Sequence, residues 1–181
     1  LKAMSDGQVW KYLNDKAKSM PVPLGNCIGG GKHTRKKGVD VQEFLLIPTG
    51  DTFEERMTVN DYVYRKMGRA LGTKERTDEG AYMPTMNDTE VFEFMQKFLQ
   101  NKDNSLGMDV SFGVDMASSS YFDGKFYSYK NFSEMYPVKK FTRDDHVDFV
   151  NKLIRDYKLG YVEDGMQEND YMGFSMLNKS T

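Results

Sequence analysis

The sequence has a single cysteine, Cys27, among its 181 residues, so no internal disulfide can form and a reducing compartment suits the chain. It also lacks an excess of either charge. Lysine and arginine number 25 against 27 aspartates and glutamates, and a formal net charge of −2 provides no global field to draw nucleic acid or an anionic membrane. No apolar run approaches the roughly 18 to 20 residues of a membrane span. Leu1 to Asp6 carry neither the basic nor the apolar region of a secretion signal. The chain starts at Leu1 rather than at an initiator methionine, which raises the expectation of a longer protein upstream. Repeats, low-complexity stretches and linkers are missing too. What is there is ordinary for a soluble globular domain, with 39% hydrophobic and 29% charged residues in a length that can bury a sizeable core.

Helix starts are written in local chemistry. Ser5-Asp6-Gly7-Gln8 and Thr52-Phe53-Glu54-Glu55 read as capping boxes, in which the first side chain and the fourth satisfy each other's orphan amides. The second box leads a helix to about Leu71, stopped by Gly72. Asn87 with Glu90 starts another, with Val91, Met95, Phe98 and Leu99 inward. Thr142 starts a fourth, striped by Val147, Val150, Ile154 and Tyr157, and a short helix fits Asp170 to Leu177. Strands are expected at Val41 to Pro48, Gly107 to Met116, Phe126 to Tyr129 and Tyr161 to Val162. Strands alternating with helices point to an α/β architecture with a largely parallel sheet.

Four places could carry chemistry. Gly25 to Lys37 reads GNCIGGGKHTRKK, a glycine-rich loop with basic residues that could cradle an anion; it departs from a Walker A loop at Asn26 and His33, and the plain alternative is a solvated basic loop. Gln42-Glu43 interrupts an apolar strand, where an ionised Glu is costly unless it is paired, faces a site, or sits at the strand end in water. Asp78-Glu79 lies in a loop between two helices and could equally be a solvated turn. Asp115, late in one strand, and Glu163-Asp164, just after another, place acids at strand ends, where parallel α/β folds build sites. Such oxygen donors suit a hard divalent cation.

The order and wording of these segments resemble the enolase family along nearly the whole chain. Pro21 to Asn26 with Gly29-Gly30-Gly31-Lys32-His33 is similar to that family's first barrel strand and Gly-Gly-x-His loop. Val41-Gln42-Glu43-Phe44 with Pro48-Thr49-Gly50, Thr77-Asp78-Glu79-Gly80-Ala81, Val114-Asp115-Met116-Ala117-Ser118-Ser119, and Val162-Glu163-Asp164-Gly165 with Glu168-Asn169-Asp170-Tyr171 resemble its later segments in the right order. Two departures stand out. Ser120 replaces an acid that is not a metal ligand, and Arg35-Lys36-Lys37 replaces a more neutral stretch.

The resemblance implies a partial TIM-type (β/α) barrel of the enolase kind, roughly its first half, with residues 1–181 forming one segment of the barrel domain. It implies a lyase that reversibly dehydrates 2-phosphoglycerate to phosphoenolpyruvate in glycolysis, with Mg²⁺ held by Asp115 and Glu163. Glu79 would protonate the departing 3-hydroxyl, Glu43 would lie beside it, and His33 and Gln42 would contact substrate. Metal ions offsetting the charge of the intermediate is the enolase-superfamily strategy. A complete barrel takes about 250 residues. The family's third metal carboxylate and its proton-abstracting lysine would therefore lie beyond Thr181, and its N-terminal capping domain would also be missing. A cytoplasmic location follows from the same resemblance, as do homo-oligomerisation as dimer or octamer and the absence of nucleic-acid and membrane partners. Two other readings compete: a non-catalytic enolase-like binding or scaffolding protein that keeps the fold, and an unrelated phosphate- or RNA-binding domain that uses the basic loop.

Overall fold

The computed structural model describes residues 8–33, 38–100, 109–132 and 139–180. The capping box at Ser5 and the first two residues of the strand expected from Gly107 lie outside them. A short helix, α1 (Val9–Leu13), precedes β1 (Gly25–Gly29); then come β2 (Glu43–Pro48), α2 (Phe53–Leu71), α3 (Asp88–Gln100) and β3 (Val110–Asp115). A small hairpin of β4 (Tyr127–Tyr129) and β5 (Lys139–Phe141) leads into α4 (Arg143–Tyr157), β6 (Val162–Glu163) and α5 (Tyr171–Ser180).

The helix starts follow their caps. The Thr52 hydroxyl accepts from the Glu55 amide at 3.2 Å and the Glu55 carboxylate accepts from the Thr52 amide at 3.1 Å. Thr142 and Asp145 close the same reciprocal box on α4. Asn87 and Glu90 do so on α3, at 2.8 and 3.0 Å. Gly72 ends α2 in the left-handed region, at φ +64°. These are contacts between neighbours in sequence, worth about 1 kcal/mol each.

The sheet runs β1-β2-β3-β6. Among the described strands of this sheet β3 and β6 pair parallel, while β1–β2 and β2–β3 are antiparallel. The largely parallel sheet expected from alternation therefore does not form here. The cause is the pair of helices between β2 and β3. One helix returns a chain to the start of the next parallel strand, whereas two bring it back to the end it left, so β3 must run against β2. A single helix, α4, separates β3 from β6, and that pair is parallel.

One face of the sheet is apolar and covered. Val59, Val63 and Met67 recur along the buried side of α2, and Val91, Phe92 and Met95 along that of α3. Phe92 sits at the centre, with its ring 5.0 Å from Phe44, 4.7 Å from Tyr157 and 6.5 Å from Phe112. A second aromatic cluster joins the hairpin to α4. The fully buried His146 ring stacks on Tyr127 at 3.9 Å, and its Nε2 pairs with the Tyr129 hydroxyl at 2.9 Å. Burial pushes this imidazole down to about 3, so it stays neutral.

The segment before β2 is held from three sides. The fully buried Asp88 carboxylate, at the start of α3, accepts from the backbone amides of Asp40 at 2.9 Å and Val41 at 2.8 Å. Asp40 in turn accepts from the amides of Lys130 and Asn131, both at 2.6 Å. The Tyr121 hydroxyl donates to the Asp40 carbonyl. Among the described residues no helix is long and apolar enough to cross a membrane.

Candidate active site

Sheet register assembles the acids. Gly29 pairs with Glu43, Glu43 with Asp115, and Asp115 with Glu163, in one row across the sheet. Residues paired across strands project from the same face. Glu43, the first residue of β2, thus shares a face with Asp115 and Glu163, each the last residue of its strand. This is the face opposite Phe44, Leu46 and Phe112. Close strand approach depends on Gly113, two residues before Asp115. A Cβ there would lie 2.5 Å from the Tyr161 carbonyl oxygen, so any larger residue would push β6 off β3.

Glu79 reaches the row from the loop after α2. Backbone bonds tie that loop to β1, from the Tyr82 amide to the Cys27 carbonyl at 2.9 Å and from the Gly29 amide to the Tyr82 carbonyl at 3.0 Å. The Tyr64 hydroxyl of α2 donates to the Gly80 carbonyl at 2.6 Å. Tyr82 lies flat against α2 because Gly68 has no side chain; a Cβ there would meet the Tyr82 hydroxyl at 1.8 Å. Glu79 accepts from the Asn26 side-chain amide of β1 at 3.1 Å and lies within hydrogen-bonding reach of Glu43.

The electrostatics follow from this crowding. The Glu43 carboxyl is pushed up to about 7 by burial, then by contact with Glu79, then by the charges of Asp115 and Glu163. Glu163 is raised by burial and by Asp115. Asp115 is almost fully buried, and its two oxygens accept from the Gln42 amide and the Ala117 backbone amide, each at 2.9 Å. Such an arrangement can hold a proton near neutral pH on Glu43, in contact with Glu79, and present a separate pair of carboxylates to a cation.

The structure brings together five of the six residues singled out in the sequence: Glu43, Glu79, Asp115 and Glu163 in the acid cluster, and Gln42 against Asp115. The sixth, His33, ends a turn of 3₁₀ helix at Gly31–His33, but its side chain, like residues 34–37 of the basic loop, lies outside the described residues. The residue-by-residue reading missed the supporting side chains. Asn26 carries no chemistry of its own that sequence could flag, and the hold of Asp88 on residues 40 and 41 spans almost fifty positions. Arg143 pairs with Asp170 at 2.7 Å, tying the start of α4 to the loop after β6.

The family described as enolase, C-terminal TIM barrel domain, matches residues 17–181. The chain belongs to the enolase family. It is 36% identical over 171 residues to an enolase of Pyrobaculum aerophilum, covering 89% of this chain and 39% of that protein. It is 35% identical over 170 residues to an enolase of Archaeoglobus fulgidus, with 90% and 40% covered, and 34% identical over 178 residues to one of Haloquadratum walsbyi, with 94% and 43% covered. The chain thus spans about two-fifths of the length of these curated relatives. The open four-stranded sheet with its helices is accordingly part of an enolase-type TIM barrel.

Among the described residues no group of three or more His, Cys, Asp or Glu side chains is arranged to hold a metal ion. The enolase family implies a divalent metal, and Asp115 and Glu163 fit it in part. Both are oxygen donors on adjacent strands, and Glu163 is raised in part by its neighbour's charge, which a cation between them would relieve.

Proposed function

We propose that this segment contributes part of the active site of a magnesium-dependent phosphopyruvate hydratase, which interconverts 2-phosphoglycerate and phosphoenolpyruvate in glycolysis and gluconeogenesis. The observation that carries the reading is the in-register row of Glu43, Asp115 and Glu163, with Glu79 turned onto it. Asp115 and Glu163 would hold Mg²⁺, and the Gln42 amide would fix the Asp115 carboxylate toward it. Bound there, Mg²⁺ would supply positive charge against the negative charge that develops on the substrate carboxylate when C2 loses its proton. Hydroxide leaves poorly, so the 3-hydroxyl must be protonated as it departs. Glu79 would deliver that proton, drawing on one shared with Glu43. Two carboxyls in contact cannot both ionise cheaply, and Glu43 pushed up to about 7 keeps a proton available at neutral pH. His33, from the glycine-rich loop, and Gln42 would contact the substrate.

In the proposed complete protein, the N-terminal capping domain and the second half of the barrel would supply what this segment lacks, including the third metal carboxylate and the lysine base. A cytoplasmic location and a dimeric or octameric assembly belong to the same reading. The test is growth of phosphoenolpyruvate absorbance from 2-phosphoglycerate. The full-length protein is expected to show it with Mg²⁺ and to lose it on chelation or in Asp115→Asn. Residues 1–181 alone are expected to show none. Turnover by the isolated segment would refute its incompleteness, whereas no turnover by the full-length protein, or full-length Asp115→Asn at the wild-type rate, would defeat the assignment.

A further inference from the structure

We infer that Asn26 is a positioning residue whose side-chain amide fixes the Glu79 carboxyl over the acid row; the inference rests on the reading of Glu79 as the proton donor. Asn26 sits on β1 opposite Leu45, two residues along β2 from Glu43, so its side chain projects from the face that carries the acids. Its Nδ2 donates to Glu79 Oε2 at 3.1 Å.

The orientation that makes this bond leaves the Asn26 Oδ1 buried, with no hydrogen-bond partner among the described residues. A buried amide oxygen without a partner is a destabilising choice. Turning the amide over would aim its oxygen at the Glu79 carboxylate and remove the bond. Among the described residues the hydrogen bond of this side chain therefore goes to Glu79. The loop that carries Glu79 is held elsewhere by its backbone, through Tyr82 to β1 and through Gly80 to Tyr64. Those bonds locate the Glu79 Cα but leave its side-chain torsions open. Asn26 supplies a contact on the β1 side that, with Glu43 on the other, holds the rotamer facing the acid row.

The test uses the full-length protein and reads kcat and KM for 2-phosphoglycerate, because a carboxyl misplaced by about 1 Å can lower turnover about 100-fold. Asn26→Leu, close to Asn in size and without a donor, is expected to lower kcat by that order and to leave KM within about threefold. In a Glu79→Ala background the same substitution is expected to cost less than about twofold, since the group it positions is gone. A crystal structure of Asn26→Leu is expected to show the Glu79 carboxyl rotated away from Glu43. Equal losses in the two backgrounds, or a Glu79 carboxyl unmoved in the variant crystal, would overturn the inference. Failure of the wild-type full-length protein to turn over 2-phosphoglycerate would instead sink the functional reading, and the crystal would still decide the role of Asn26.

Discussion

Two sets of acids lie at the same end of this sheet and are built on opposite principles. Asp88 and Asp40 face backbone amides, among them those of residues 40, 41, 130 and 131, and hold the chain just before β2. Burial lifts both carboxyls above the ordinary range while the amides pull the other way, and Asp88 reaches about 8. In the other set Asp115 and Glu79 have amide donors of their own, but Glu43 meets Glu79 directly, and for Glu43 the neighbouring acids add to burial instead of opposing it. Proximity of carboxylates is thus uninformative until the donors are counted. Acids answered by amides form a structural clamp, whereas acids turned on one another form a strained cluster that a proton or a cation can relieve.

The sharpest way to break this contrast is to neutralise one acid of each kind. Glu79→Gln in the full-length protein is expected to lower kcat about 10³-fold, with thermal stability unchanged or raised because a like-charge contact is relieved. A drop in melting temperature without loss of turnover would make Glu79 another clamp. Asp88→Ala should behave in reverse. It strands two buried amides, and urea unfolding is expected to show a loss of about 2 to 5 kcal/mol with kcat per folded molecule retained.

The effect of pH separates the two sets more finely. The Glu43 carboxyl is about 7 in the folded protein against an ordinary 4.5. The folded state therefore binds the extra proton, and the stability linked to it is complete below 4.5 and lost as pH rises through 7. Glu43→Gln is expected to flatten that decline in a series of melting curves between pH 5 and 8. An unchanged slope would place the decline elsewhere, with Asp88 as the first suspect. His146 works from the acid side, with its folded value near 3 against 6.5, so its contribution is present above 6.5 and lost as pH falls toward 3. The smallest effect expected is from Thr52→Ala, about 1 kcal/mol from the cap of α2, with neither acid set disturbed.

The pattern of what sequence could and could not disclose follows from range. The caps at Thr52, Asn87 and Thr142 were legible because their partners lie three residues away. Glu43 was legible as an acid breaking an apolar run, and it opens β2 turned toward other acids rather than toward water. Both helices between β2 and β3 were legible, but simple strand–helix alternation points to parallel strands, and the antiparallel direction follows only when α2 and α3 are taken as a pair. The clamp on residues 40 and 41 and the Asn26–Glu79 bond join positions some fifty apart, and no local pattern marks either. The enolase-like wording of five segments supplied the long-range order that periodicity lacks.

Because β2 runs against β3, Glu43 enters the acid row from the beginning of its strand, and the β2-to-α2 turn at residues 49–52 lies at the remote rim. Cutting the chain there and rejoining its natural ends elsewhere would leave Glu43, Asp115 and Glu163 on their original strands and Glu79 on its loop. A circularly permuted protein opened near Gly50 should therefore keep its chemistry, whereas one opened near residues 40–42 should not.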